Sequence, residues 1–140
     1  MADDVLLNKA ATIERCVGRA REEYNRDPDS FDQDFTRQDA AILNIQRACE
    51  AALDMGQHLI RRHRLGLPQS ARDVFTLLAS ADWIDADLAE ALRRMVGFRN
   101  IAVHDYQSMH LPITVTIITQ HLDDFLRFSE AVLRRDRNRS

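Results

Sequence analysis

The sequence predicts an all-α fold, a bundle of about five helices that pairs with a second copy of itself. Three observations lead there. Apolar residues recur every three or four positions in five separate stretches, the period of a helix buried along one face. Between the stretches stand capping and stop signals, Asp27-Pro28-Asp29 and Gly66-Leu67-Pro68 among them. The one run that favours strand, residues 113–119, has no partner strand anywhere in the 140 residues, and a lone strand is not stable.

Asp3 and Asp4 can cap a first helix, whose apolar side is Leu6, Ala10, Ile13, Val17, Ala20 and Tyr24. Asp27-Pro28-Asp29 stops it. Thr36 is the expected N-cap of the next and longest helix, with Ile42, Ile45, Cys49, Ala52 and Leu59 on its buried face. That helix ends in Arg61-Arg62-His63-Arg64, whose charges complement the helix dipole, before Gly66 and Pro68. Ser70-Ala71-Arg72-Asp73 is a capping box with aspartate for glutamate, opening a short helix through Val74, Leu77, Leu78 and Ala81. Trp83 is expected in the core near the following turn. Asp85 or Asp87 caps a fourth helix with two apolar stripes: Leu88, Ala91, Met95, Phe98 and Ala102, and Leu92, Val96, Arg99, Val103 and Tyr106. So wide an apolar arc must be covered on more than one side. The first stripe is expected in the protomer core and the second near a homodimer interface. Despite its β-branched residues, run 113–119 is read as helix: Pro112 suits a first turn, and Val115, Ile118, Leu122, Phe125, Phe128 and Val132 keep helical spacing. The tail Arg134-Arg135-Asp136-Arg137-Asn138-Arg139-Ser140 is expected to fray.

The fourth helix holds the stretch that the rest frames, Gly97-Phe98-Arg99-Asn100-Ile101-Ala102-Val103-His104-Asp105-Tyr106. At about 100° per residue, Tyr106 falls on the stripe of Arg99, while His104 is rotated by roughly 140° from it. One straight helix therefore cannot aim both at one small ligand; the helix must end near His104, or a second copy must complete the site. Gly97 lies on the His104 side, where a missing side chain admits either a ligand or a tightly packed neighbour. Arginine grips phosphate through paired hydrogen bonds and histidine moves protons near neutral pH. The combination suits phosphodiester cleavage in RNA, with His104 as general base or acid and Arg99 stabilising the charged phosphorane. Asn100, one turn before His104, is placed to orient the imidazole or hold a phosphate oxygen. Asp105 is placed to pair with Arg99 or another arginine and restrain the site. Taken singly, these residue types more often serve structure, Arg99 as an ion-pair or carbonyl-capping residue, Tyr106 as a packed aromatic with a wet hydroxyl and His104 as a surface or hydrogen-bonded histidine.

Arg-x4-His-x-Tyr, here Arg99, His104 and Tyr106, resembles the signature of HEPN-domain ribonuclease toxins of the HepT type. The likeness extends to Gln33-Asp34-Phe35-Thr36, Asn44-Ile45-Gln46-Arg47-Ala48-Cys49-Glu50 and Leu67-Pro68-Gln69-Ser70-Ala71-Arg72-Asp73. The resemblance implies an all-helical, dimeric, metal-independent endoribonuclease acting on tRNA or another abundant structured RNA, with no cofactor. It also implies a partner, a small nucleotidyltransferase-fold antitoxin that silences the toxin by transferring AMP to the motif tyrosine, Tyr106. The alternative function is a noncatalytic binding module that docks and regulates such a nucleotidyltransferase.

Composition narrows the classes further. The length fits one domain, residues 1–140. A net charge of −3 argues against a protein that coats nucleic acid nonspecifically, yet leaves room for a local basic site. All the cations but Lys9 are arginine. The basic cluster at 61–64 and the tail have RNA contact as an alternative use. Cys16 and Cys49 fall on apolar stripes and read as buried thiols of a reducing compartment, with a disulfide between them as the alternative. No apolar run approaches a membrane span, and Met1-Ala2-Asp3-Asp4 has no signal-peptide character, so a cytoplasmic location is expected. The histidines at 58, 63, 104, 110 and 121 show no zinc spacing, and His121 with Asp124 reads as a solvent-facing pair. No metal ligand is assigned.

Overall fold

The computed structural model describes residues 3–138, which form helices, helical turns and short connections without a strand among them. Asp3 opens α1 (Asp4–Asn25): its carboxylate accepts the Val5 and Leu6 amides and is itself gripped by His58 and Arg62 of the next helix. A short 3-10 segment, Pro28–Gln33, reverses the chain. α2 (Phe35–His63) then returns antiparallel to α1, with Lys9 bonded to Asp54 (3.1 Å) toward one end and Arg37 to Glu23 at the other. Its N-cap is Asp34, two residues before the expected Thr36. Both residue types can accept an amide, and the one with extended backbone prevails: Asp34 (φ −113°, ψ 93°) accepts the Arg37 amide at 3.1 Å.

Arg37 ties this hairpin together from the inside. Buried against the Phe31 ring (5.4 Å), it donates from Nε to the Glu23 carbonyl (2.7 Å), and from Nη2 to those of Tyr24 (3.1 Å) and Asp27 (2.8 Å). Its Nη1 reaches Ser30 Oγ at 3.0 Å. A helix leaves its last carbonyls unpaired, and here one guanidinium caps the end of α1 and holds the turn that follows.

α2 stops where Arg64 adopts the left-handed conformation (φ 54°), with the Leu65 amide bonded back to the Ile60 carbonyl (3.0 Å). The expected stop residue, Gly66, follows in the loop. Its last turn is engaged structurally: Arg62 grips Asp3 and His63 lies 5.1 Å from the Trp83 ring. α3 (Ala71–Ser80) begins with Ser70 as N-cap, accepting the Asp73 amide, but the reciprocal bond of the anticipated capping box falls one residue earlier, Asp73 accepting the Gln69 amide at 2.9 Å. It approaches α2 closely at Gly56, where an added Cβ would stand 2.5 Å from Val74 Cγ1.

α4 (Ala86–His104), capped by Asp85 through the Leu88 amide (2.7 Å), lies against α2, α3 and α6 (Leu122–Asn138). The first stripe lies in the protomer core as expected, with Leu88, Met95, Phe98 and Ala102 buried, but the assignment of the second is corrected: Leu92 and Val96 are buried within the protomer as well. The chain's own helices cover both sides of the arc, and only Ile101, Val103 and Tyr106 near its end stay exposed (40%, 43% and 42%).

α5 (Leu111–Thr116), a π turn (Ile117–His121) and α6 run on continuously, so the β-branched run is helical as expected. The Thr116 and Thr119 hydroxyls bond back to the Pro112 and Val115 carbonyls (both 2.9 Å) beside the wide turn, which loosens the crowded stretch. The basic end does not fray within the described residues. α6 continues to Asn138, and Arg135 stacks over Trp83 (4.8 Å) and donates to the Ala81 carbonyl (3.0 Å). Arg139 and Ser140, like Met1 and Ala2, lie outside the described residues. Asp124 is buried between His121 (3.5 Å) and Arg127 (3.2 Å), not solvent-facing as expected. No described helix is long and apolar enough to cross a membrane.

Candidate active site

α4 ends at His104 because Asp105 leaves the helical region (φ −153°, ψ 56°). Its amide still bonds to the Ile101 carbonyl (2.9 Å), while its carboxylate accepts the Ser108 hydroxyl (2.6 Å) and closes the 3-10 turn Tyr106–Ser108. Asp105 thus restrains the local chain through Ser108; the expected pairing with Arg99 is not made. The break also removes Tyr106 from the stripe of Arg99, since the helix no longer continues to it.

Four side chains of the motif part company at this break. Arg99 is half-buried and faces α2, lining a depression of about 400 Å³ with Glu50, Leu53, Asp54, Gln57 and Ala71. Its Nε is buried and has no hydrogen-bond partner among the described residues. The Cys49 thiol beside it is pushed up to about 12 by burial, an effect that the charge of Arg99 partly offsets. His104 is exposed at the helix end, and Asn100 is half-buried one turn before it. Neither lines the depression of Arg99.

Tyr106 turns toward α2 and donates its phenolic hydrogen to the carboxylate of Asp39. Burial, and then the bond and negative charge of Asp39, push its pKa up to about 12. Gly97 turns out to make room for Arg72: a Cβ there would stand 2.8 Å from Arg72 Nη2, whose Nε bonds to the Arg93 carbonyl (3.3 Å). On another face of α4, Met95, Phe98 and Ile101 line an apolar groove of about 400 Å³ with Met109, Ile113 and Ile117. Among the described residues no cluster of three or more histidine, cysteine or acidic side chains could hold a metal ion.

Sequence reasoning missed Asp39 and the contact of Cys49 with Arg99. Asp39 stands 67 residues before Tyr106 on the exposed side of α2, and no local spacing signals such a contact. Cys49 is visible as a buried-stripe residue, but its neighbour depends on how α2 and α4 are set against each other.

Comparison with known proteins places these features in context. The family model described as ribonuclease HepT-like matches residues 13–132. The chain is 49% identical over 130 residues to the mRNA nuclease HepT of Shewanella oneidensis, covering 93% of this chain and 97% of that protein. A crystal structure of a toxin–antitoxin with AMP-PNP aligns with a TM-score of 0.89 and 48% identity over 93% of this chain and 98% of the other. The tri-AMPylated Shewanella oneidensis HEPN toxin in complex with MNT antitoxin aligns with a TM-score of 0.88 and 49% identity, over 93% and 97%.

Proposed function

The chain belongs to the ribonuclease HepT-like family, and from that premise we propose that it is the toxin of a toxin–antitoxin pair, a single HEPN domain cutting RNA without a metal ion. The observation behind the assignment of the site is the termination of α4 at His104, which leaves His104 exposed on the same helix end as the exposed Ile101 and Val103. In this reading two copies pair along that exposed end of α4 and gather their arginines and histidines around one scissile phosphate. The ribose 2′-oxygen attacks phosphorus and the 5′-oxygen leaves. His104 takes the proton from the first or supplies one to the second, and the products are a 2′,3′-cyclic phosphate and a 5′-hydroxyl. Arg99 holds the phosphoryl oxygens through its planar fork as negative charge builds. Asn100 orients the phosphate or the imidazole, and Asp105 keeps the helix end in shape through Ser108.

The partner in this reading is a nucleotidyltransferase-fold antitoxin, which silences the toxin by transferring AMP to Tyr106. Support comes from the similarity to a HEPN toxin that is tri-AMPylated and bound to an MNT antitoxin, and from the exposure of Tyr106. The related protein's name makes mRNA the first substrate to test; tRNA, implied by the motif resemblance, is the second.

Expression of the chain alone is the direct test. It is expected to arrest growth and produce RNA fragments with cyclic-phosphate ends, and the purified protein should cleave equally well in a chelator. His104→Ala should abolish both effects while leaving the helical fold intact. Equal toxicity of the variant, or none from the parent, favours instead the noncatalytic module that docks a nucleotidyltransferase.

A further inference from the structure

The contact between Tyr106 and Asp39 gives the modification a chemistry of its own, resting on the reading of Tyr106 as AMP acceptor. Asp39 lies on the exposed side of α2. Its carboxylate takes the phenolic hydrogen of Tyr106, and no other hydrogen bond or ion pair reaches it among the described residues. A surface carboxylate with no basic partner, aimed at the one oxygen that must become a nucleophile, is placed as a base. The turn that presents Tyr106 is held independently, by Asp105 and Ser108 (2.6 Å) and by the Met109 amide on the Tyr106 carbonyl (3.0 Å). The phenol–carboxylate bond is therefore not required to shape the loop.

We infer that Asp39 of the toxin is the general base for its own AMP modification, so that the substrate and not only the transferring enzyme supplies a catalytic group. In the step, Tyr106 Oη attacks the α-phosphorus of a nucleoside triphosphate held by the antitoxin. The bond from that phosphorus to the bridging oxygen breaks and pyrophosphate leaves, while the phenolic proton passes to Asp39 Oδ1 and then to water. A phenol that keeps its proton at neutral pH needs such an acceptor. Once the ester has formed, the tyrosine oxygen has no hydrogen to donate, and its phosphate anion faces the Asp39 carboxylate. The modified ring must leave Asp39, which carries the AMP outward from α2.

The test is the rate of AMP attachment to the full-length toxin, followed by intact mass and peptide mapping at saturating nucleotidyltransferase partner and magnesium ATP. Asp39→Asn keeps a hydrogen-bond acceptor but takes no proton, and is expected to slow attachment at Tyr106 at least tenfold. Asp39→Glu should recover part of the loss. Asp39→Ser serves as a second variant if the asparagine protein does not keep the parent melting temperature. An asparagine or serine variant modified at the parent rate overturns the inference while leaving Tyr106 as the acceptor. A parent protein that gains no AMP at Tyr106 removes the modification reading itself, and this inference with it.

Discussion

Arg99 and Tyr106 show how differently two side chains of one motif can be set by their neighbours. The guanidinium of Arg99 has a buried Nε without a partner among the described residues and shares a hydrogen bond with the Cys49 thiol at its side. Replacing it by lysine keeps the charge but loses the fork. We expect Arg99→Lys to fold normally and to cut RNA about a hundred-fold more slowly in a purified cleavage assay. Tyr106→Phe removes only the bond to Asp39, so its effect on stability should be about 1 kcal/mol or less by denaturant titration, and on the proposed reading it is expected to abolish AMP attachment. Arg99, His104 and Tyr106 could all be picked out from the sequence, because motif spacing is a local property. Asp39 and Cys49 could not be tied to them, because their contacts cross from α2 to the end of α4.

At the level of elements, the glycines and Arg37 separate packing from propensity. Gly18 lies on the exposed side of α1, where an added Cβ meets nothing within 4 Å, so Gly18→Ala should stabilise the protein by about 1 kcal/mol. Gly56→Ala faces Val74 Cγ1 at 2.5 Å, a stiff β-branched side chain, and should destabilise by about 1 to 2 kcal/mol in spite of the same propensity gain. Arg37→Ala strands the α1-terminal carbonyls that its guanidinium now satisfies. A loss of about 3 kcal/mol or more is expected in chemical denaturation, with lysine unable to restore it because one ammonium cannot span the same acceptors. The helical spacing in the sequence located every long helix. It misplaced the N-cap of α2 and could not choose between an α4 that ends near His104, as it does, and one that carries its stripe on to Tyr106, since aspartate, threonine and a broken last turn are decided by local dihedral angles rather than by periodicity.

For the whole molecule, the pairing of two copies and the response to alkali are the properties to measure. If Arg99 of one copy serves His104 of the other, a mixture of Arg99→Ala and His104→Ala proteins should regain about a quarter of parent activity. Random pairing makes half the dimers mixed, and each mixed dimer has one intact site. No recovery on mixing places both groups of a site in the same copy. Cys49, buried and pushed up to about 12 from an ordinary 9.0, holds its proton in the folded state where the unfolded chain releases it. Its contribution is therefore complete below pH 9 and is lost as pH rises toward 12, at about 1.4 kcal/mol per pH unit. Tyr106 acts in the same direction above pH 10. Melting temperatures should fall across this range, and Cys49→Ala should flatten the fall. The sequence by itself determined that the chain is helical, where its helices lie and which motif residues to test, because periodicity, capping and motif spacing act over a few residues. Only the tertiary structure decided that α4 is covered on both sides by its own protomer, that Arg99 faces α2 while His104 faces solvent, and that Asp39 meets Tyr106. Those outcomes depend on the rotation of one packed helix against another, which no local pattern of residues encodes.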